Sequence, residues 1–281
     1  MNSFMALLKS RWNEGYFLCV GLDTDYNKLP AKFKQEPLSD ALFHFNREII
    51  EATAPYCGIY KPNVAFYEGY GMEGLDALIR TNRFIREQYP AHPIILDAKR
   101  ADIGNTNTGY VKAVFEVLHA HAVTVHPYLG KEALAPFLDD KEHGVFVLCH
   151  TSNPGAGEFQ ELKVNGEELY KIVAANVSRE WNYNGNCGLV MGATYPKQLA
   201  GIRDIAGDLP LLIPGIGAQG GDLQPTVING LNSVREGIII NASRSILYAS
   251  SGDDFASAAA AEAAKLADEI RQVRDGVHES R

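Results

Sequence analysis

The stretch ILDAKRADIGNT (95–106) sets an apolar run against four charged side chains, Asp97, Lys99, Arg100 and Asp102, within six positions. In D-A-K the two charges stand at i and i+2, so at a strand end Asp97 and Lys99 project toward the same side. Lys61 closes an earlier apolar run and would neighbour this one in a closed sheet. Two lysines and two acids can then alternate in charge around one point, a costly arrangement that suits chemistry on a developing charge. The plainer alternative is an ordinary Asp97–Lys99 pair, with Asp102 near the N-terminus of a helix starting close to Asn105, where acids are favourable.

A second group points to an anion. The segment PGIGAQGG (214–221) follows one apolar run and NASRSI (241–246) follows the next. Gly215, Gly217, Gly220 and Gly221 let backbone N–H groups approach a phosphate, and Arg244 can add a two-pronged clamp. Glycine often only marks a turn, so it is the pairing with Arg244 that gives the segment weight. His126, in VHPY, has no second ligand at metal spacing and reads as a packed histidine; no metal site is expected. Cys19, Cys57, Cys149 and Cys187 each lie inside an apolar run, as buried reduced thiols do. Tyr60, Phe66 and Tyr67, beside Lys61, read as packing residues rather than a base-stacking surface.

These groups need a frame. Eight short continuous apolar runs (17–23, 57–62, 93–99, 122–127, 145–150, 187–193, 211–217 and 236–243) alternate with helical patterns, as parallel strands covered on both faces do. Helix caps are expected at Ser39, opening LSDALFHFNREIIEATAP, and at Asn165, opening NGEELYKIVAANVSREWN. The fold class is α/β, a single (β/α)8 TIM barrel over 1–281, with a short N-terminal helix and an Ala-rich C-terminal helix. A doubly wound open sheet is the alternative. It would scatter the polar residues that follow the runs, whereas a barrel gathers them into one mouth. A formal charge of −8 argues against general binding to nucleic acid or anionic membranes. With no basic n-region and no apolar segment near 20 residues, a soluble cytoplasmic protein is expected.

The segment D-A-K-R-A-D-I-G-N-T resembles the D-x-K-x-x-D-I-x-x-T signature of the orotidine 5′-phosphate decarboxylase family. GLD, KPN, TSNPGAGEFQ, PGIGAQGG and NASRSI follow in that family's order, and the length resembles its longer bacterial forms. The resemblance implies conversion of orotidine 5′-monophosphate to UMP and CO2, the last step of de novo pyrimidine nucleotide synthesis, without metal or organic cofactor. Loss of CO2 from C6 leaves a carbanion with no obvious electron sink, so the site must favour charge present mainly in the transition state. By resemblance Lys99 stabilises and protonates that carbon, and Asp97 lies against the departing carboxylate. Lys61 and Asp102 orient the cluster and hold ribose hydroxyls, with Asp23 a further ribose candidate. Ser152 contacts the pyrimidine, Gln219 bridges phosphate and base, and the glycines with Arg244 take the phosphate. Asp102 and Thr106 come from the neighbouring subunit in the family, which implies a homodimer.

Two rivals share parts of this pattern. Another phosphosugar enzyme on the same barrel would use a divalent metal near the second and third strands, where Lys61 stands here. A non-catalytic nucleotide-binding barrel would need the glycine loop and Arg244, but not two lysines facing two acids.

Overall fold

The computed structural model describes residues 3–216 and 221–277. Eight parallel strands are formed: β1 (Leu18–Gly21), β2 (Ile59–Lys61), β3 (Ile95–Arg100), β4 (Ala122–Val125), β5 (Gly144–His150), β6 (Cys187–Met191), β7 (Leu211–Pro214) and β8 (Ile238–Ala242). They pair in the order β2-β1-β8-β7-β6-β5-β4-β3, and the bridges Tyr60↔Ile94 and Asn63↔Asp97 join the two ends. The expected barrel is therefore the observed one, each strand lying within its apolar run except that β3 continues to Arg100 and β5 begins one residue earlier, at Gly144. Closure removes the sheet's edges. It also explains the continuous apolar runs: in β4, β6 and β8 every residue is buried, since one face fills the barrel and the other meets helices.

Among the described residues nine helices of eight or more residues accompany the strands: α1 (Phe4–Asn13), α2 (Leu38–Thr53), α3 (Gly71–Gln88), α4 (Gly104–Val111), α5 (Gly130–Leu138), α6 (Leu169–Asn176), α7 (Pro196–Ala206), α8 (Leu223–Gly230) and α9 (Phe255–Gly276). The buried residues of α2 include Ala41, Leu42, Phe45, Ile49 and Ile50, the one-sided stripe of a surface helix. Full burial of each large apolar side chain there contributes about 1.5–3 kcal/mol. Helix α1 crosses the N-terminal end of the barrel. Phe4 N–H donates to Glu142 O (2.8 Å), just before β5, and Trp12 Nε1 donates to Ile238 O (2.9 Å), at the start of β8.

Two expected helix caps are not used. Helix α2 opens at Leu38 after Pro37, so Ser39 lies inside its first turn, where its hydroxyl bonds Asp76 of α3. Asn165 adopts φ +54° in the turn of a small antiparallel ribbon, Lys163–Val164 with Glu167–Glu168, and α6 begins only at Leu169. Asn-Gly is the strongest two-residue hairpin signal and Asn tolerates the left-handed region, so turn chemistry at Asn165 and Gly166 overrides capping.

Arg203 of α7, itself buried, ties the N-terminal ends of β7 and β8. Its guanidinium donates to the carbonyls of Gly207 (2.7 Å), Leu209 (2.8 Å), Gly230 (2.7 Å) and Gly237 (2.8 Å). Replacing it by methionine keeps the apolar stem but removes all four of these bonds; the Gly237 carbonyl keeps a further donor, Leu211 N–H. Arg203→Met is expected to cost about 2–5 kcal/mol, read as a lowered urea midpoint. An unchanged midpoint would show that the four bonds carry no net stability.

Candidate active site

The C-terminal ends of the strands surround a cavity of about 470 Å³. Lys61, the last residue of β2, is 3% exposed, so its ammonium can stay charged only beside anions. Asp23, in the loop after β1, places Oδ1 at 3.7 Å from Lys61 Nζ, and Asp97 of β3 places Oδ2 at 3.4 Å. On its other side Asp97 Oδ1 lies 2.7 Å from Lys99 Nζ. The order Asp23, Lys61, Asp97, Lys99 alternates in sign along its whole length. Burial opposes charge on Lys61, but Asp23 and Asp97 outweigh it and raise its pKa. Burial likewise disfavours the Asp97 carboxylate. The two lysines, with hydrogen bonds from Lys99 and Thr124, outweigh that and hold its carboxyl down at about 2.

Each acid is held by groups remote in sequence. Ser243, just past β8, donates to Asp23 Oδ2 (2.8 Å). Tyr67 donates to Leu22 O (2.8 Å) and Thr24 to Asn46 Oδ1 (2.6 Å), which locks the chain on both sides of Asp23. Tyr60 and Tyr67 are fully buried packing residues, as expected, while Phe66 is partly exposed. Asp97 takes Thr124 Oγ1 on Oδ1 (2.8 Å) and a long contact from Asn63 Nδ2 on Oδ2 (3.4 Å). Thr124 and Asn63 were not singled out from the sequence, and Ser243 only as a polar residue beside Arg244 at a strand end. Asn63 carried a signal, as the third residue of KPN; Thr124 touches its carboxylate only through the closed barrel.

Lys99 is half exposed and sits at φ +46°, a left-handed backbone that costs about 1–2 kcal/mol outside glycine. It belongs to a bulge: between Leu96↔Val123 and Arg100↔Val125 strand β3 spends four residues where β4 spends two. Arg100 turns away to pair with Glu68 and lies over the Tyr110 ring at 5.3 Å.

Ser152, Gly215 and Arg244 line the same cavity. Gly215 has φ +107°, open only to glycine at low cost. A Cβ at Gly192 would come within 2.7 Å of Ser152 N, so the missing side chain lets the loop after β5 close over β6. His150, at the end of β5, supports that loop through Glu161 (Nε2 to Oε1, 3.1 Å). Arg244 opens a short helix, Arg244–Leu247, and is exposed toward the cavity. Gly217, Gln219 and Gly220 lie outside the described residues; Gly221, beyond them, pairs with Ile216.

Asp102 and Thr106 do not line this cavity. The Asn107 side chain clamps the Asp102 peptide, accepting from its N–H (2.8 Å) and donating to its carbonyl (2.6 Å), while Asp102 Oδ1 accepts from Ile103 N–H (2.7 Å). His126 is also not among the lining residues. Burial pushes the thiols of Cys19, Cys57, Cys149 and Cys187 up, and all four are free. Among the described residues no helix is long and apolar enough to cross a membrane, and no three His, Cys, Asp or Glu side chains are grouped to hold a metal ion.

A closed parallel barrel with a charged cavity at the C-terminal ends of its strands defines a (β/α)8-barrel enzyme. Residues 16–261 match the model of the orotidine 5′-phosphate decarboxylase / HUMPS family. The chain is 48% identical over 275 residues to the orotidine 5′-phosphate decarboxylase of Bordetella petrii, covering 97% of this chain and 100% of that protein. It is 46% identical over 273 residues to that of Cellvibrio japonicus, covering 97% and 99%. The OMP decarboxylase structure of Leishmania donovani superposes with a TM-score of 0.85 at 38% identity, covering 97% of this chain and 98% of that one. The chain belongs to the orotidine 5′-phosphate decarboxylase / HUMPS family.

The Asp97 carboxyl has a consequence for acid stability. A carboxyl depressed in the folded state contributes stability that is complete above its ordinary value of 3.8 and is lost as pH falls through about 2. That contribution is on the order of 2 kcal/mol. In Asp97→Asn the unfolding free energy, less at neutral pH because Lys61 loses a counter-ion, is expected to fall less steeply between about pH 4 and 2. Equal slopes in denaturant titrations of the two proteins would refute the assignment.

Proposed function

We propose that the protein decarboxylates orotidine 5′-monophosphate to UMP and CO2, the last step of de novo pyrimidine nucleotide synthesis. The single observation that carries this reading is the alternating row Asp23, Lys61, Asp97, Lys99 in a cavity that Gly215 and Arg244 also line. The cavity volume lies in the range of small-molecule sites, about 300–1,000 Å³. The close relatives carry the name of this activity over nearly their whole length.

In the proposed reaction the phosphate binds Arg244 and the backbone after β7, with Gly217, Gln219 and Gly220 in that loop, and Ser152 faces the base. Asp23 and Lys61 hold ribose hydroxyls. The C6 carboxylate is directed at Asp97 and Lys99. The bond from C6 to the carboxylate carbon breaks, CO2 leaves, and the electron pair stays on C6. The Lys99 ammonium faces that pair and transfers its proton to C6; water then reprotonates the amine, so one proton is consumed per turnover. At an effective dielectric of about 20 and about 4 Å, one unit charge opposite another is worth about 4 kcal/mol, or roughly 10³-fold in rate. Asp97 keeps Lys99 charged and aimed and lies against the departing carboxylate. No step calls for a metal or an organic cofactor.

A homodimer completes the proposed site. Asp102 and Thr106 lie off their own chain's cavity. The first turn of α3 and the loops after β3 and β4 leave Met72, Ile103 and Tyr128 80%, 62% and 86% exposed, apolar surface of the kind that a second copy covers. Asp102 then reaches the ribose of the neighbouring site.

The direct test is loss of orotidine-monophosphate absorbance on adding purified, chelator-treated protein; no loss at high enzyme concentration would overturn the proposal. Lys99→Ala is expected to remain folded and dimeric while kcat falls by at least about 10³-fold. Mixing inactive Lys99→Ala and Asp102→Ala dimers is expected to restore activity through heterodimers carrying one intact site. No regain after verified subunit exchange would exclude a shared site.

A further inference from the structure

Thr124 stands in the middle of β4, 1% exposed, directly across from the β3 bulge, and every bonding capacity of its hydroxyl is spent there. The oxygen accepts from the backbone N–H of Ala98 (3.1 Å) and of Lys99 (3.0 Å), and its proton goes to Asp97 Oδ1 (2.8 Å). A hydroxyl offers one donor and two acceptor positions, so the three bonds saturate it. The two N–H groups are the ones that the bulge withdraws from the regular ladder. The third bond reaches the carboxylate oxygen that also binds the Lys99 ammonium.

We propose that Thr124 is a positioning residue for the decarboxylation: its hydroxyl holds the bulge that turns Lys99 toward the cavity and fixes the Asp97 carboxylate against the Lys99 ammonium. The proposal rests on the function assigned above. Positive φ at Lys99 needs compensation from its surroundings, and two hydrogen bonds on consecutive N–H groups supply it. The Asp97 Oδ1 oxygen is bracketed by Lys99 Nζ and Thr124 Oγ1, so the carboxylate cannot rotate without losing both. The branched side chain adds a restricted χ1 that keeps the hydroxyl aimed at the bulge. The groups proposed for the phosphate, by contrast, are carried after β7 and β8, on neither β3 nor β4. A change at Thr124 therefore separates the placement of Lys99 from the binding of the nucleotide.

The test compares Thr124→Val, which keeps the shape and removes the hydroxyl, with Thr124→Ser, which keeps the hydroxyl. Thr124→Val is expected to lower kcat about 10- to 100-fold, since hydrogen bonds to a charged group are the stronger ones. KM and the dissociation constant of UMP are expected to move less than about threefold, and Thr124→Ser is expected to recover kcat to within about threefold of wild type. A Thr124→Val kcat within twofold of wild type, a loss shared equally by the serine variant, or a loss expressed mainly in KM would each overturn the role. If Thr124→Val is not recovered folded, Thr124→Cys replaces it, because a thiol is a weak donor and acceptor. The expected order of kcat is then Thr, Ser, Cys, and equal rates for serine and cysteine would overturn the role. Wild-type protein assayed alongside separates the two readings: an inactive wild type overturns the decarboxylase assignment, and an active wild type with an unaffected variant overturns only Thr124.

Discussion

Placing the Lys61 ammonium at the base of a cavity, almost without water, sets the terms for everything around it. A buried cation is tolerable only if anions repay the lost hydration, and two carboxylates do so here, 3.7 and 3.4 Å away. Each of those acids is then itself partly desolvated and needs its own partners. Asp23 takes Ser243, and Asp97 takes Lys99 and Thr124. Removing any one member strands a charge, so the row stands or falls together. Electrostatic preorganisation of this kind gives a site its power over a developing charge, because no solvent has to reorganise during the reaction.

The barrel meets those terms by topology. Parallel strands all end on one face, so residues at or just past the ends of β1, β2, β3 and β8 converge without long loops. The opposite face carries stability. There α1 lies across the strand starts and Arg203 ties the segments before β7 and β8. At the mouth, the left-handed Lys99 and the two extra residues of β3 are local departures, each answered by Thr124. This division lets the site hold costly geometry while the core keeps ordinary close packing.

Much of this could be read before any folding. The eight strands announced themselves as continuous apolar runs, and the end of the third strand announced itself by charge against hydrophobicity. The readings that failed were local ones with two competing chemistries. Ser39 is a good cap placed two residues too late, past Pro37 at the cap position. Asn165 can cap a helix or turn a hairpin, and Gly166 after it decides for the hairpin. Thr124 was invisible because a threonine inside an apolar strand looks like any other β-branched filler. Its hydroxyl acquires meaning only opposite a bulge that no single strand reveals.

What the sequence alone determined is therefore the set of parts and their local spacing: eight parallel strands, D-x-K at a strand end, glycines and Arg244 past the last two. Those follow from hydrophobic period and residue type, which act over a few positions. Only the tertiary structure decided which parts meet. It brought Ser243 onto Asp23 across 220 residues and Thr124 onto Asp97 across 27, and it turned Arg100 out to Glu68. It also left Asp102 and Thr106 off the cavity of their own chain. The physical reason is closure. Hydrogen-bonding β8 to β1 and bridging β2 to β3 fixes which strand ends are neighbours, and opposite charges at neighbouring ends are then held at bonding distance whatever their separation along the chain.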